Sequence, residues 1–237
     1  MTGLVCVAGG KGSPGATTLA LALALSTSEN DRVTLIDADP DGGDLAAVLG
    51  VPANPGLVSL AAATRHRFPP GELEHHLQLA APGVALLAAP SSAEQASASL
   101  ISLGRPCAES LASLNAIADV GRWQPRSAAA DLVREAGTTV LVVHPTVAGV
   151  SHARFQFEDL ATRCPRVVVA CRGERPYSAE EVAAAIGCAS TIALPADRVG
   201  ASMVTGRASD RWMRRSALAR AARTLGASLA QVEEAAS

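Results

Sequence analysis

Short runs of apolar residues alternate along the chain with longer segments in which apolar residues recur at helical spacing. The short runs predict strands at residues 4–8, 33–37, 84–88, 114–119, 139–144, 166–171 and 190–194. The longer segments predict helices at residues 17–28, 43–49, 91–103, 125–136, 149–163, 178–186 and 216–232. Such alternation is typical of βα units that build a parallel sheet. The pattern therefore predicts an α/β fold with one doubly wound, mostly parallel sheet and helices on both of its faces.

Proline-rich stretches at residues 52–55, 69–70 and 82 predict loops rather than a domain boundary. The sequence shows no internal repeat and no low-complexity segment beyond a bias towards alanine. A chain of 237 residues that is 49% hydrophobic is long enough for one large core. We therefore expect a single domain that spans residues 1–237.

A glycine-rich stretch, GKGSPGATT, links the first predicted strand to the first predicted helix. Backbone N–H groups in such a loop and at a helix N-terminus bind phosphate, and the usual motif is GxxxxGK[ST]. Gly10, Gly15 and Thr17 fit that motif, whereas Ala16 stands in place of its lysine. Pro14 is a second departure, because proline has no N–H to donate. Taken alone, the stretch is about equally consistent with an ordinary glycine turn.

Lys11 lies within this loop and is the only lysine in the chain, since the other 19 basic residues are arginines. A composition so rich in arginine suggests that this one ammonium has a role that a guanidinium does not serve. A compact, flexible point charge that reaches a phosphate fits that role. The loop together with Lys11 predicts a nucleotide-binding site.

Two further segments place carboxylates after apolar runs. The sequence IDADPDGGD contains Asp37 and Asp39, and a carboxylate is suited to orienting a water molecule for attack on a phosphate. In the sequence LNAIADVG, a predicted strand ends at Asp119, and Gly121 follows two residues later. Taken alone, the first segment is also consistent with a polar turn that caps a helix, and the second with an ordinary strand end.

In order along the chain, the three segments resemble the deviant Walker A ATPases of the ParA/MinD type, whose loop reads KGGxGK[ST]. The resemblance covers nearly the whole length and implies a degenerate P-loop. It implies that Lys11 reaches across a sandwich homodimer to the nucleotide of the partner subunit, while the lysine that would act within its own subunit is missing at Ala16. It also implies that Asp39 positions the attacking water, so that Lys11 and Asp39 are the candidate catalytic residues.

The resemblance implies ATP and Mg²⁺ as cofactors. Thr17 would ligate the metal directly, with Asp37 close to it and Asp119 holding it through water. The loop residues expected to contact the nucleotide are Gly10, Lys11, Gly12, Ser13, Gly15, Ala16, Thr17 and Thr18. Further along, Arg172, Pro195 and Asp197 occupy the positions expected at the base. Cys171 stands where relatives often have asparagine, which leaves ATP and GTP both open.

The nearest branch by resemblance is the CpaE/TadZ-like group, which implies a nucleotide-dependent dimerisation switch that positions a partner complex at a pilus, a secretion apparatus or a cell pole. Because Ala16 lacks the ammonium, ATP hydrolysis is expected to be slow or impaired. A catalytically inactive pseudo-ATPase scaffold is one alternative, and a DNA-partition ATPase is another. The sequence leaves open whether the protein is an enzyme.

Seven arginines and one acid between Arg198 and Arg223 give that segment a charge of +6, whereas the whole chain carries −2. The simplest interpretation is a final helix packed on the sheet with its arginines in solvent. Weak contact with DNA or with a membrane surface is the alternative. Five scattered cysteines without a CxxC pair, and the lack of a signal-peptide pattern, predict a reducing cytoplasm. Peripheral association with the membrane or a cell pole is a further expectation.

Overall fold

A computed structural model describes residues 3–29, 31–202 and 215–236, with only the backbone described for 232–236. The strands are β1 (Gly3–Gly9), β2 (Val33–Asp37), β3 (Gln78–Ala81), β4 (Val84–Leu87), β5 (Asn115–Arg122), β6 (Thr138–Val143), β7 (Val167–Arg172) and β8 (Thr191–Leu194). The helices are α1 (Ala16–Thr27), α2 (Leu45–Leu49), α3 (Leu57–Ala63), α4 (Ala93–Ala112), α5 (Ala130–Glu135), α6 (Val147–Ala161), α7 (Ala179–Ile186), α8 (Arg198–Ala201) and α9 (Ala217–Ala236). A short 3₁₀ helix spans Leu73–His76.

The strands form one sheet in the order β3-β4-β2-β5-β1-β6-β7-β8. All neighbouring pairs are parallel except β3 and β4, which are antiparallel. The strand β1 lies between β5 and β6, where the order of the sheet reverses. In open sheets of this kind, ligands bind in the crevice at the carboxyl ends of the strands beside such a point. The predicted α/β fold with a mostly parallel sheet is confirmed, and it places the loop after β1 at this crevice.

Alternate residues of β1 belong to two separate hydrophobic clusters. Leu4 and Cys6 pack with helices α3 to α7, whereas Val5 and Val7 pack with α1, α2 and α9. Because successive side chains of a strand point to opposite faces, these clusters are the two sides of the sheet. The prediction of helices on both faces is therefore confirmed.

Helix α1 is apolar on all sides instead of along one stripe, and every residue from Leu19 to Ala24 is buried. The sheet covers one side of α1, and α9 packs against another. A helix that is covered in this way has no polar face to present to water. Its first turn, directly after the glycine-rich loop, is thereby fixed in the core.

Four elements were missed by the pattern, namely β3, α3, the 3₁₀ helix and α8. Strand β3 lies at the edge of the sheet, and its residue Leu79 is 78% exposed, so no buried apolar run marks it. Helix α3 is short and follows the proline-rich stretch at 52–55, which predicted only a loop. Helix α4 continues beyond the predicted end at 103, with a break at Gly104 and with Pro106 inside its range.

The five cysteines are all free and buried within the core. Burial raises the pKa of the Cys107 thiol to about 12 and raises the pKa of Cys6 well above its ordinary range. Thiols in this state remain protonated at neutral pH and behave as small apolar side chains.

Candidate nucleotide-binding site

The glycine-rich loop joins β1 to α1 at the crevice. The N–H of Gly10 donates to the carbonyl of Val142 at 2.8 Å, which ties the start of the loop to β6. Ser13 and Gly15 have φ values of 52° and 101°, in the left-handed region. Gly15 is the N-cap residue of α1 and offers no side-chain hydrogen bond to the helix. The first N–H groups of α1 are therefore available to an anion.

The two departures from the P-loop motif lie at the bottom of this loop. Ala16 is the first residue of α1 and is only 8% exposed, and its methyl group belongs to the core cluster that contains α1. Pro14 is buried beside Gly9. At these two positions the loop provides neither the ammonium nor one of the N–H groups that the usual motif offers a phosphate.

A cavity of about 910 Å³ lies over the loop and the start of α1. The residues that line it include Gly10, Ser13, Pro14, Gly15, Ala16, Thr17, Thr18, Asp39, Asp41, Asp44, Ser91, Gly121 and Arg122. This volume is within the range of natural small-molecule sites. Most of the loop residues predicted to contact phosphate thus face one cavity, together with the carboxylate of Asp39.

Asp37 and Asp119 are partners across β2 and β5, and each is only 1% exposed. One oxygen of Asp37 accepts a hydrogen bond from the N–H of Leu45 at 2.9 Å, at the start of α2. Asp119 accepts from the N–H of Gly121 at 3.1 Å and is hydrogen-bonded to the side chain of Thr17. The structure therefore brings the three predicted metal-binding residues together beside the P-loop.

Burial makes ionisation of these two carboxyl groups unfavourable. Burial and the neighbouring Asp119 raise the pKa of Asp37 to about 7, and burial raises the pKa of Asp119 to about 6 against the opposing hydrogen bonds of Thr17 and Gly121. A divalent cation would relieve this cost. Within the described residues, no group of three or more His, Cys, Asp or Glu side chains could hold a metal ion unaided. Carboxylate and hydroxyl oxygens such as those of Asp37, Asp119 and Thr17 are ligands that suit Mg²⁺, which binds through one or two carboxylates, waters and phosphate oxygens.

Asp39 contacts Gly121 in the wall of the cavity. Gly121 has a φ of 62°, and a Cβ at this position would overlap the carboxylate of Asp39. One oxygen of Asp39 accepts from the N–H of Asp41 at 2.8 Å. Burial raises the pKa of Asp39 above its ordinary value of 3.8. Position 121, near the end of β5, thus needs a glycine, because any other residue would displace the predicted water-positioning carboxylate.

Lys11 lies at the outer end of the loop and is exposed. Its ammonium is 3.1 Å from Nε2 of His152, which lies on α6. Lys11 is absent from the residues that line the cavity of its own subunit. The ammonium is therefore turned away from the phosphate site that its own loop forms.

The three residues predicted at the base lie at or just after the ends of β7 and β8. Arg172 ends β7, while Pro195 and Asp197 follow β8. The carboxylate of Asp197 accepts from the N–H groups of Val199, Gly200 and Leu218, each at 3.0 Å. Burial raises its pKa, but these hydrogen bonds outweigh burial and leave the pKa lowered. Asp197 therefore holds α8 and the start of α9 in place, and its oxygens are already engaged.

Arg122 was missed by sequence analysis, although it directly follows the predicted Asp119–Gly121 turn. It ends β5 opposite Gly9, the last residue of β1, and it lines the cavity. Asp41 and Asp44 also line the cavity and had been assigned no role. In the structure, β5 continues past Gly121, beyond the strand end that was predicted at Asp119. This continuation brings Arg122 to the P-loop.

The arginine-rich segment is only partly within the described residues, because Arg207, Arg211 and Arg214 lie outside them. Leu218 and Leu225 on α9 are buried in the cluster that contains α1, while Arg220 is exposed. This agrees with a final helix that packs its apolar face inward. None of the described helices has the length and hydropathy needed to span a bilayer.

The sheet order and the position of this cavity can be compared with solved structures. A ParA family ATPase from Chlorobium tepidum matches with a TM-score of 0.77 at 16% identity, over 95% of this chain and 99% of that one. The septum site-determining protein MinD from Pyrococcus horikoshii, complexed with Mg-ADP, matches with a TM-score of 0.77 at 20% identity, over 98% of each chain. This chain has the fold of the ParA and MinD ATPases.

McdA from Cyanothece, in a complex with ATP, matches with a TM-score of 0.70 at 17% identity, over 97% of this chain and 96% of that one. No family model matches the sequence, and no curated protein matches it. The likeness therefore lies in the fold, while the P-loop residues of this chain differ from the usual motif at Pro14 and Ala16.

Proposed function

We propose that this protein is a nucleotide-dependent dimerisation switch of the ParA/MinD kind, which binds Mg-ATP and positions a partner complex. The observation that carries the proposal is the placement of Thr17, Asp37 and Asp119 beside a glycine-rich loop whose helix N-terminus carries no side-chain cap. Phosphate oxygens and a hard cation are the ligands that such a set of groups suits. The fold neighbours support a positioning role, since one of them is a septum site-determining protein.

Within this site, Thr17 and Asp119 would hold Mg²⁺, with Asp37 near it and the loop N–H groups on the phosphates. When bound, Mg²⁺ neutralises charge on the phosphate oxygens. Asp39 would orient the attacking water, and its position in the cavity wall suits that role. One oxygen of Asp37 accepts a hydrogen bond from the N–H of Leu45, so a metal bound at this carboxylate would be linked to the start of α2.

Lys11 would act on the nucleotide of the partner subunit. Its exposed ammonium, turned away from the cavity of its own chain, is compatible with a contact across a dimer interface. The 3.1 Å contact with His152 would then be exchanged for one with phosphate when two nucleotide-bound subunits meet. Mg-ATP would thereby drive self-association.

Hydrolysis is proposed to be slow. A hydrogen bond from a charged donor contributes about 1.5–3 kcal/mol, so the missing lysine at Ala16 would weaken triphosphate binding by roughly ten- to a hundred-fold. Phosphoryl transfer depends further on neutralising the charge that develops in the transition state. The protein would therefore spend long periods in its nucleotide-bound dimer.

A pseudo-ATPase scaffold is the second candidate, and Pro14 and Ala16 favour it. The scaffold would use the fold for protein interaction alone, without a nucleotide cycle. A role near a pilus or secretion apparatus, as in the CpaE/TadZ-like branch, belongs to either candidate. A DNA-partition role would rest on the arginines between Arg198 and Arg223. Because the described apolar face of α9 is buried against α1, contact of this segment with DNA or a membrane would rest on charge.

The test compares wild type with Lys11→Ala and Asp39→Ala for Mg-ATP affinity, dimer formation and phosphate release. His152→Ala is the matched control, since it removes the partner of the ammonium within the chain and keeps the ammonium. The switch predicts that Lys11→Ala loses the Mg-ATP-dependent dimer and that His152→Ala retains it. Wild type that binds no Mg-ATP at millimolar concentration would rule out the switch and leave the scaffold. Phosphate release unchanged by Asp39→Ala would show that Asp39 does not position the water.

A further inference from the structure

The charges around the P-loop cavity are unequal. Asp39, Asp41 and Asp44 line it, and Asp37 and Asp119 are buried close by. Among the described residues, Arg122 is the only basic side chain in the lining. A nucleoside triphosphate is itself a polyanion. A cavity lined by more acidic than basic side chains therefore needs every available positive charge to bind one.

Arg122 is placed so that it can meet that need. It is the last residue of β5, pairs across the ladder with Gly9, and follows the left-handed turn at Gly121. Its side chain is exposed and, within the described part of the chain, forms no hydrogen bond or ion pair. A guanidinium without a partner, at the edge of a cavity, is free to bind an anion.

The neighbouring basic residues differ from Arg122 in this respect. Lys11 contacts His152 and does not line the cavity. Arg126 and Arg134 line a separate cavity of about 580 Å³, and Arg134 is paired there with Asp131. Arg122 lines both cavities. Among the described residues, it is therefore the one arginine that lines the cavity over the phosphate loop.

We infer that Arg122 binds the phosphates of the nucleotide in its own subunit and supplies the positive charge that the P-loop lacks at Ala16. The planar guanidinium donates two parallel hydrogen bonds to phosphate oxygens, which a lysine ammonium does not. Arg122 comes from β5, directly beside β1, so its charge reaches the loop from the neighbouring strand instead of from α1. This inference rests on the proposed nucleotide-binding function and names a residue for it.

The test measures Mg-ATP affinity for wild type, Arg122→Ala, Arg122→Lys and Arg126→Ala, with Mg-GTP as a second probe. Arg126→Ala is the matched control, because it removes an exposed arginine four residues away that lines only the other cavity. Arg122→Ala should weaken binding of both nucleotides by about ten- to a hundred-fold, because the phosphates are common to both. Arg122→Lys should recover part of this loss, and Arg126→Ala should bind as wild type.

Ala16→Lys in the Arg122→Ala background provides a second readout, since it adds an ammonium where the usual motif has one. A larger gain in affinity from Ala16→Lys in the Arg122→Ala background than in the wild-type background supports the inference, because it shows that the two positions serve the same phosphates. Equal gains in the two backgrounds would show that they act independently and would overturn it. The unfolding temperature of nucleotide-free Arg122→Ala should equal that of wild type, since the side chain has no partner to lose.

The outcomes distinguish failure of the role of Arg122 from failure of the proposed nucleotide-binding function. Wild type that binds Mg-ATP while Arg122→Ala binds it equally well overturns the role of Arg122 and leaves the switch intact. Equal losses of nucleotide affinity in Arg122→Ala and Arg126→Ala also overturn the role of Arg122, since equal losses reflect the overall charge of the surface. Wild type that binds neither nucleotide overturns the proposed function, and the role of Arg122 with it.

Discussion

Asp37 and Asp119 stand opposite each other on adjacent parallel strands, and both are buried. Side chains paired across parallel strands at one level of the sheet lie on the same face, so the two carboxyl groups repel each other when ionised. Such a pair of carboxyl groups at the carboxyl ends of β2 and β5 destabilises the folded protein when no cation is bound. The arrangement therefore supports stabilisation of the folded protein by a bound cation.

The first prediction concerns pH and the stability of the nucleotide-free protein. Folding raises the pKa of Asp37 from its ordinary 3.8 to about 7, so the folded state binds a proton that the unfolded state releases. The stability from this group is fully present below about pH 4 and is lost as the pH rises through 7. Asp37→Asn should therefore exceed wild type in free energy of unfolding by about 1–3 kcal/mol at pH 8.

Denaturant unfolding at pH 4.5 and pH 8 checks this prediction. The advantage of Asp37→Asn should shrink at the lower pH, where the wild-type carboxyl group is already protonated. Glu158→Gln, which changes an exposed carboxylate paired with Arg154, should show no comparable pH dependence. An Asp37→Asn variant that is less stable than wild type at pH 8 would contradict the raised pKa.

The second prediction concerns proton competition with the metal. The pKa of Asp119 is raised to about 6, so protons compete with Mg²⁺ for this carboxylate in mildly acidic solution. Mg-ATP affinity should fall by roughly four-fold between pH 7.5 and pH 5.5 through this group, and EDTA should remove most of it. Calorimetric titration across this range, with Asp119→Asn as the variant that lacks the titrating group, checks this. Affinity independent of both pH and EDTA would exclude a metal at this site.

The third prediction concerns the turn that holds Asp39. Gly121→Ala should lower the free energy of unfolding by about 1–3 kcal/mol and abolish phosphate release, because its Cβ overlaps the Asp39 carboxylate and its φ of 62° strains an L-residue. Gly173→Ala has a similarly positive φ of 88° but nothing within 4 Å of its Cβ, so it isolates the backbone strain. Phosphate release that is lost equally in both variants would show that contact with Asp39 is not the cause.

The fourth prediction concerns the missing lysine. Ala16→Lys in the wild-type background should strengthen Mg-ATP binding by about ten-fold and raise the rate of phosphate release. Ala16→Arg is the comparison, since its larger, planar group does not reproduce a compact ammonium in a buried first turn. Stopped-flow binding and a phosphate-release assay measure both effects. An Ala16→Lys protein that folds and binds no better than wild type would place the phosphates away from this turn.

Sequence pattern was sufficient for the fold wherever strands are buried. Strand β2 was predicted with its observed bounds because every one of its residues is buried. Strand β3 was missed because it pairs only with β4 at the edge of the sheet and leaves Leu79 exposed. Periodicity reports burial, so an edge strand without a single buried residue leaves no trace in it.

Residues of the candidate site were predicted where a sequence motif lies at the end of a predicted strand. Asp37, Asp119 and Thr17 were placed correctly as neighbours because parallel strands carry their C-terminal residues to one edge of the sheet. Arg122 was missed because a left-handed turn at Gly121 and an irregularity in the pairing of β1 with β5 set its position. Such features depend on backbone geometry that one sequence does not display.

The trans role of Lys11 is tested most directly by mixing two inactive variants. Asp39 lines the cavity of its own subunit, whereas Lys11 would serve the partner, so a dimer of one Lys11→Ala subunit and one Asp39→Ala subunit contains one complete site. Mixing equal amounts with Mg-ATP should restore phosphate release well above that of either variant alone, since each mixed dimer carries one complete site of two. A mixture that releases phosphate no faster than the separate variants would contradict the contact across the dimer.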